Sequence, residues 1–139
     1  MTRILGIDVG EARIGLAVSD ELGMLAHPLE TVNAREGNPL KHVAEVVARE
    51  KVDLVVIGLP RNMSGTYGPA AEKAREFATK LQKYSPCMVK FWDERLTTVA
   101  AQKQLHETGK NTKNSRSIID QVAAVLILQG YLDSQAMLG

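Results

Sequence analysis

Three acidic residues stand in or against apolar segments, where charge is expected to be rare. Asp8 interrupts Ile4-Leu5-Gly6-Ile7-Asp8-Val9, Glu94 ends Met88-Val89-Lys90-Phe91-Trp92-Asp93-Glu94, and Asp120 lies between Ile118-Ile119 and the apolar stretch Val122–Leu128. A charge in such surroundings is unfavourable unless it is paired or binds a metal. Three carboxylates converging from distant parts of the chain would make a site for hard divalent cations, which prefer oxygen ligands.

Each of the three has a plainer reading. Asp8 can cap a hairpin turn through an Asp-x-Gly arrangement. Asp93 or Glu94 can pair with Arg95 or stabilise the N-terminus of a following helix. Ser117-Ile118-Ile119-Asp120 fits a capping box, which would make Asp120 a helix-start residue. Against these, strand alternation places Gly6 on the face of Asp8 and leaves space beside the carboxylate. Asp93 and Glu94 point to opposite faces, so one of them at most faces a shared site. Ala123 and Ala124, one turn beyond Asp120, keep that helix face small.

Four further residues could touch phosphate or sugar. Arg61 and Asn62 follow a strand within Gly58-Leu59-Pro60-Arg61-Asn62-Met63-Ser64-Gly65. Lys113 and Arg116 end a basic stretch in which Lys103 and Lys110 face only Glu107 as an opposing charge. A solvated loop is the alternative for both groups. His27, His42 and His106 show no metal-ligand spacing.

These residues need elements to hold them. The 139 residues fit one domain, 1–139, with enough chain to bury a core. The 45% hydrophobic and 24% charged content is that of an ordinary soluble globular protein. A single cysteine, Cys87, cannot form an internal bridge, which fits a reducing, cytoplasmic compartment. Asp8 breaks the only N-terminal apolar stretch, so no signal peptide is expected, and no apolar run is long enough to cross a bilayer. The net charge of +1 does not by itself indicate nucleic acid, and 4% aromatics argue against binding mainly by base stacking.

Arg3–Val9, Ile14–Ser19 and roughly Met24–Val32 read as strands with short connections, hence an antiparallel meander. Asn38-Pro39 opens a helix, with Asn38 as N-cap and Pro39 at its first position. Leu54-Val55-Val56-Ile57, within Asp53–Gly58, is a buried parallel strand. Pro69 opens a second helix, Cys87–Trp92 is an edge strand, and a helix is expected from Thr97 or Thr98 to about Glu107. The stretch 109–115 reads as mobile, before a final, largely buried helix that reaches Leu132. The result is an α/β fold, a five-stranded mixed sheet flanked by helices, in which parallel strands 1, 4 and 5 end at one edge. Asp8, the loop after Gly58 and Glu94 all reach that edge, where open α/β sheets place ligands.

Gly6-Ile7-Asp8-Val9-Gly10, Arg13-Ile14-Gly15-Leu16-Ala17, Gly58-Leu59-Pro60-x-x-Met63-x-Gly65, Asp93-Glu94-Arg95-Leu96-Thr97-Thr98 and Ile119-Asp120-x-x-Ala123-Ala124-x-x-Ile127-Leu128 together resemble the YqgF/RuvX family, in its order and over nearly the whole chain. Asp-Glu-Arg-Leu-Thr-Thr is the specific part; the first motif alone is not. The resemblance implies a ribonuclease H-like fold, sheet order 3-2-1-4-5 with strand 2 antiparallel, related to Holliday-junction resolvases. It also implies a nuclease acting in 5′-end maturation of the 16S rRNA precursor. Asp8, Glu94 and Asp120 match the family's acidic positions. On that basis the expectation is phosphodiester hydrolysis assisted by Mg2+ or Mn2+ held by these three, with Arg61, Asn62, Arg95, Lys113 and Arg116 on the nucleic acid. The substrate would be precursor rRNA, within pre-ribosomal particles, or branched DNA, and the protein a monomer or homodimer.

One geometric difficulty accompanies the resemblance. Strand 5 lies two strands from strand 1, roughly 10 Å at about 4.8 Å per strand, so Glu94 must reach inward or the strand end must bend. Two other classes stay open: a non-catalytic nucleic-acid-binding module, and a nucleotide-binding half-domain, for which the chain lacks a second domain.

Overall fold

The computed structural model describes residues 3–60, 64, 66–94 and 113–138, with the backbone alone over 113–118. The elements are β1 (Arg3–Val9), β2 (Arg13–Ser19), β3 (Ala26–Asn33), α1 (Pro39–Arg49), β4 (Val52–Leu59), α2 (Pro69–Tyr84), β5 (Met88–Asp93) and a 26-residue helix α3 (Lys113–Leu138). The sheet order is β3-β2-β1-β4-β5. β2 runs antiparallel to both β1 and β3, and β4 is parallel to β1 and β5. This is the ribonuclease H-like arrangement that the motifs imply.

Alternation along the strands divides the core in two. Leu5, Ile7, Ile14, Leu16, Val55 and Ile57 face α1 and α2, which contribute Val43, Val46, Val47, Ala74, Phe77 and Leu81. The other face carries Ala17 and Val56, packed against Ala123, Ala124, Ile127, Leu128, Tyr131 and Leu132 of α3. α1 begins as its sequence dictates, the Asn38 side chain accepting from the Lys41 amide at 3.2 Å with Pro39 following. No helix among the described residues is long and apolar enough to cross a membrane.

Three boundaries differ from expectation by more than one residue. β3 starts at Ala26, because the β2–β3 turn extends to Leu25: the Asp20 carboxylate accepts from the Met24 amide at 2.8 Å and Gly23 takes φ +69°. That Met24 bond is the main cause that holds the Asp20 carboxyl below its usual range. α3 starts at Lys113, so 113–115 are helical rather than loop, and it runs past Leu132 to Leu138. It is also less buried than its composition suggests, since Val122, Val125 and Leu126 are only partly covered. Among the described residues α3 packs on the sheet through one side only. The helix expected between Thr97 and Glu107 lies outside the described residues.

What decides the depth of α3 is the absence of side chains beneath it. At Gly6, a Cβ would stand 2.7 Å from the Leu128 Cβ and 3.0 Å from the Ala124 carbonyl oxygen. At Gly15, a Cβ would overlap the backbone carbonyl of Asp120 itself. A backbone atom within a helix cannot rotate out of the way. Gly15→Ala is therefore expected to cost about 1–3 kcal/mol or more of stability as overpacking, read by chemical denaturation. A cost near zero would mean that α3 does not sit this close.

Candidate active site at the sheet edge

Asp8 and Glu94 are buried, 4% and 6% exposed. Both sit at the carboxyl ends of parallel strands and on the α3 face of the sheet. Asp8 shares that face with Gly6, beneath Ala124 and Leu128. Glu94 follows Trp92, whose ring meets Tyr131 of α3 edge-on at 6.5 Å and 88°. Lys90, two residues earlier on the same face, extends to the Tyr131 hydroxyl at 3.4 Å. The end of β5 is thereby held to α3, and Glu94 emerges underneath it.

Glu94 covers part of the distance from β5 to β1 by lying over β4, the strand between them. Its carboxyl carbon is 3.3 Å from where a Cβ would be at Gly58. Gly58 pairs with Trp92 on one side, and on the other it is the next residue after the Ile7–Ile57 pair, which brings it alongside Asp8. A glycine in a central strand usually marks a close approach, and here Ile127 of α3 and the Glu94 carboxyl both come up against it. The inward reach that the sequence demanded is made over Gly58.

Asp120 enters from the other side. Gly15 pairs directly with Asp8 across the β1–β2 ladder, and the Asp120 Cβ stands 3.2 Å from the position of a Gly15 Cβ. Asp120 is well inside α3 rather than at its start, so the capping-box reading of Ser117 and Asp120 is set aside. Its carboxylate, however, accepts a hydrogen bond from the Nε of Arg13 at 2.6 Å, with the two side chains 16% and 36% exposed. Among the described residues, no three His, Cys, Asp or Glu side chains stand close enough to hold one ion. Two glycines thus flank Asp8, with Glu94 over one and Asp120 over the other, and Asp120 is turned to Arg13.

Oxygen donors suit Mg2+ or Mn2+ in kind, and the burial of Asp8 and Glu94 on one face suits them in placement. Asp120 stands next to that pair and would complete it on leaving Arg13. Arg13 is the residue that the motif reading passed over. Alternation was the available signal, since 13, 15 and 17 share the face of β2 that meets α3.

Of the other expected contacts, Arg61, Asn62 and Arg95 lie outside the described residues. Lys113 and Arg116 fall in the first turns of α3, with only their backbone described. Asp93 is on the opposite face from Glu94, paired in register with Leu59. His42 bonds Glu30 at 3.1 Å, away from this edge.

Gly58→Ala is expected to be milder than Gly15→Ala, because its nearest obstacle is the mobile end of Ile127, but it must move the Glu94 carboxyl. A double-mutant cycle with Glu94→Gln in chemical denaturation is expected to show a coupling of about 0.5–3 kcal/mol. Additive effects would place Glu94 away from Gly58.

Comparison with known proteins agrees with this architecture. The family described as "RuvX: Holliday junction resolvase" matches residues 2–134. A protein of Halalkalibacterium halodurans named "Putative pre-16S rRNA nuclease" is 48% identical over 138 residues, covering 97% of this chain and 99% of the relative. One of the same name from Heliobacterium modesticaldum is 47% identical over 137 residues, covering 98% and 92%. Among solved structures, T. thermophilus RuvC in complex with a Holliday junction substrate superposes with a TM-score of 0.60 at 17% identity, covering 97% of each chain. At that identity the likeness supports the fold alone, whereas the sequence matches span almost the whole chain. The chain belongs to the RuvX family.

Proposed function

We propose that this protein is a metal-dependent nuclease, one ribonuclease H-like domain over residues 1–139, that hydrolyses phosphodiester bonds in 5′-end maturation of the 16S rRNA precursor. The carrying observation is the pair of buried carboxylates, Asp8 and Glu94, brought to one face of the sheet edge across a glycine. The names of the nearly full-length relatives supply the substrate. Cleavage of branched DNA is the second reading, favoured by the family description and by a fold shared with a junction-bound RuvC.

In this reading Asp8, Glu94 and Asp120 would hold Mg2+ or Mn2+, which when bound supplies activation of water and stabilisation of the leaving oxygen, without a covalent enzyme intermediate. The work of the chain is positional. β1 and the β5 end present Asp8 and Glu94 as buried side chains on the face that α3 covers. Concentrated negative charge at the edge disfavours a phosphodiester until cations offset it, which ties substrate binding to cation binding. Arg61, Asn62, Arg95, Lys113 and Arg116 would hold backbone phosphates, giving salt-sensitive and largely sequence-blind affinity. The setting would be cytoplasmic, on pre-ribosomal particles, with a monomer sufficient for an RNA end and a homodimer suited to symmetric junction cleavage.

Asp8→Asn is expected to lower Mn2+-dependent cleavage at least about 100-fold, the loss of several kcal/mol of transition-state stabilisation, while the unfolding temperature stays near wild type. Precursor rRNA and a four-way DNA junction, each incubated with Mn2+ and with chelator, separate the two substrates. Retained cleavage by Asp8→Asn would remove Asp8 from the mechanism. Chelator-insensitive binding with no cleavage of either substrate at any Mn2+ concentration would leave a binding module instead.

A further inference from the structure

We propose that Arg13 is a built-in countercharge that occupies Asp120 in the cation-free protein, so that divalent cation and guanidinium compete for one carboxylate. The inference rests on the cation reading above and adds a residue to it. Arg13 lies on β2 two residues before Gly15, on the same face, and Gly15 is the strand partner of Asp8. Its Nε donates to Asp120 Oδ2 at 2.6 Å, a charge-assisted bond between residues 107 positions apart in the chain. The seat of α3 on Gly15 makes this bond possible, because it fixes the Asp120 Cβ 3.2 Å from the Gly15 Cβ position.

Three carboxylates gathered at one edge repel one another, and the repulsion is greatest when no cation is present. A guanidinium is the suitable group to relieve it, because it is a planar, permanently cationic donor. A competing cation for the carboxylate would release it. The direction of the effect follows from that competition. With Arg13 removed, the Asp120 carboxylate is free to turn to an ion. Cation affinity should rise, and the cation-free fold should weaken. A plain structural brace would do the reverse or nothing to the cation: its loss would lower stability equally with and without it, or loosen the site.

The test is Mn2+ titration by calorimetry on the full chain, with thermal unfolding measured with and without Mn2+. Arg13→Gln is expected to bind Mn2+ about tenfold more tightly than wild type, within the range that a charge-assisted hydrogen bond spans. It should also gain more in unfolding temperature from Mn2+ than wild type does. Arg13→Lys, which keeps the charge and loses the Nε bond, should fall between them, and it carries the test if Arg13→Gln does not fold. Adding Asp120→Asn to either variant should abolish the gain. Wild-type binding with equal or weaker affinity in both Arg13 variants overturns the role of Arg13 and leaves the cation reading standing. No Mn2+ binding by wild type or either variant overturns both.

Discussion

The closeness of α3 to the sheet is the constraint on which the rest of this structure depends. Helix and sheet normally stand apart by the thickness of their facing side chains. Here the facing positions on three adjacent strands are Gly6, Gly15 and Gly58, and the helix answers with Ala123 and Ala124. The gap closes until the Asp120 carbonyl lies against the Gly15 backbone. The same missing side chain at Gly58 opens the path that Glu94 takes toward β1. A packing device and a functional device are thus one set of glycines, so the fold cannot lose the first without disturbing the second.

Electrostatics explains why such an arrangement needs a ligand or a countercharge. Burying Asp8 and Glu94 removes water from groups that are strongly solvated when exposed, a penalty recovered only through hydrogen bonds, opposite charge or bound cations. Apolar residues of similar size would pack this edge at lower cost, so keeping carboxylates there has to be accounted for by chemistry. Arg13 on Asp120 is the countercharge at the outer rim, where both side chains retain some solvent. Deeper in, Asp8 and Glu94 offer carboxylate oxygens. Hard divalent cations match them, and a phosphodiester is the substrate class on which such cations are most useful.

Much of this was legible in the chain. The order of strands, the split of Gly6 and Asp8 from Leu5 and Ile7, and the start of α1 at Asn38-Pro39 all follow from period-2 alternation and cap chemistry. The extension of α3 to Lys113 did not, because Gly109-Lys110-Asn111 carries loop composition and the polar residues after it join a helix only through packing further along. The Ser-x-x-Asp pattern at 117–120 was ambiguous for the same reason, since a capping box is a local signal that a longer helix overrides. The route of Glu94 was invisible, because no pattern within β5 reports that Gly58 lies next to it. For Arg13, alternation along β2 gives its face, but a partner 107 residues away is not legible in local spacing.

The central claim is that the edge between β1 and β4, roofed by α3, is a divalent-cation site. Anomalous X-ray scattering from crystals soaked in Mn2+ tests it most directly. A peak is expected within coordinating distance of the Asp8 and Glu94 carboxylates, above Gly58, with Asp120 drawn from Arg13 toward it. Full Mn2+ occupancy elsewhere on the protein, with Asp8 and Glu94 uncoordinated and Asp120 still on Arg13, would contradict it.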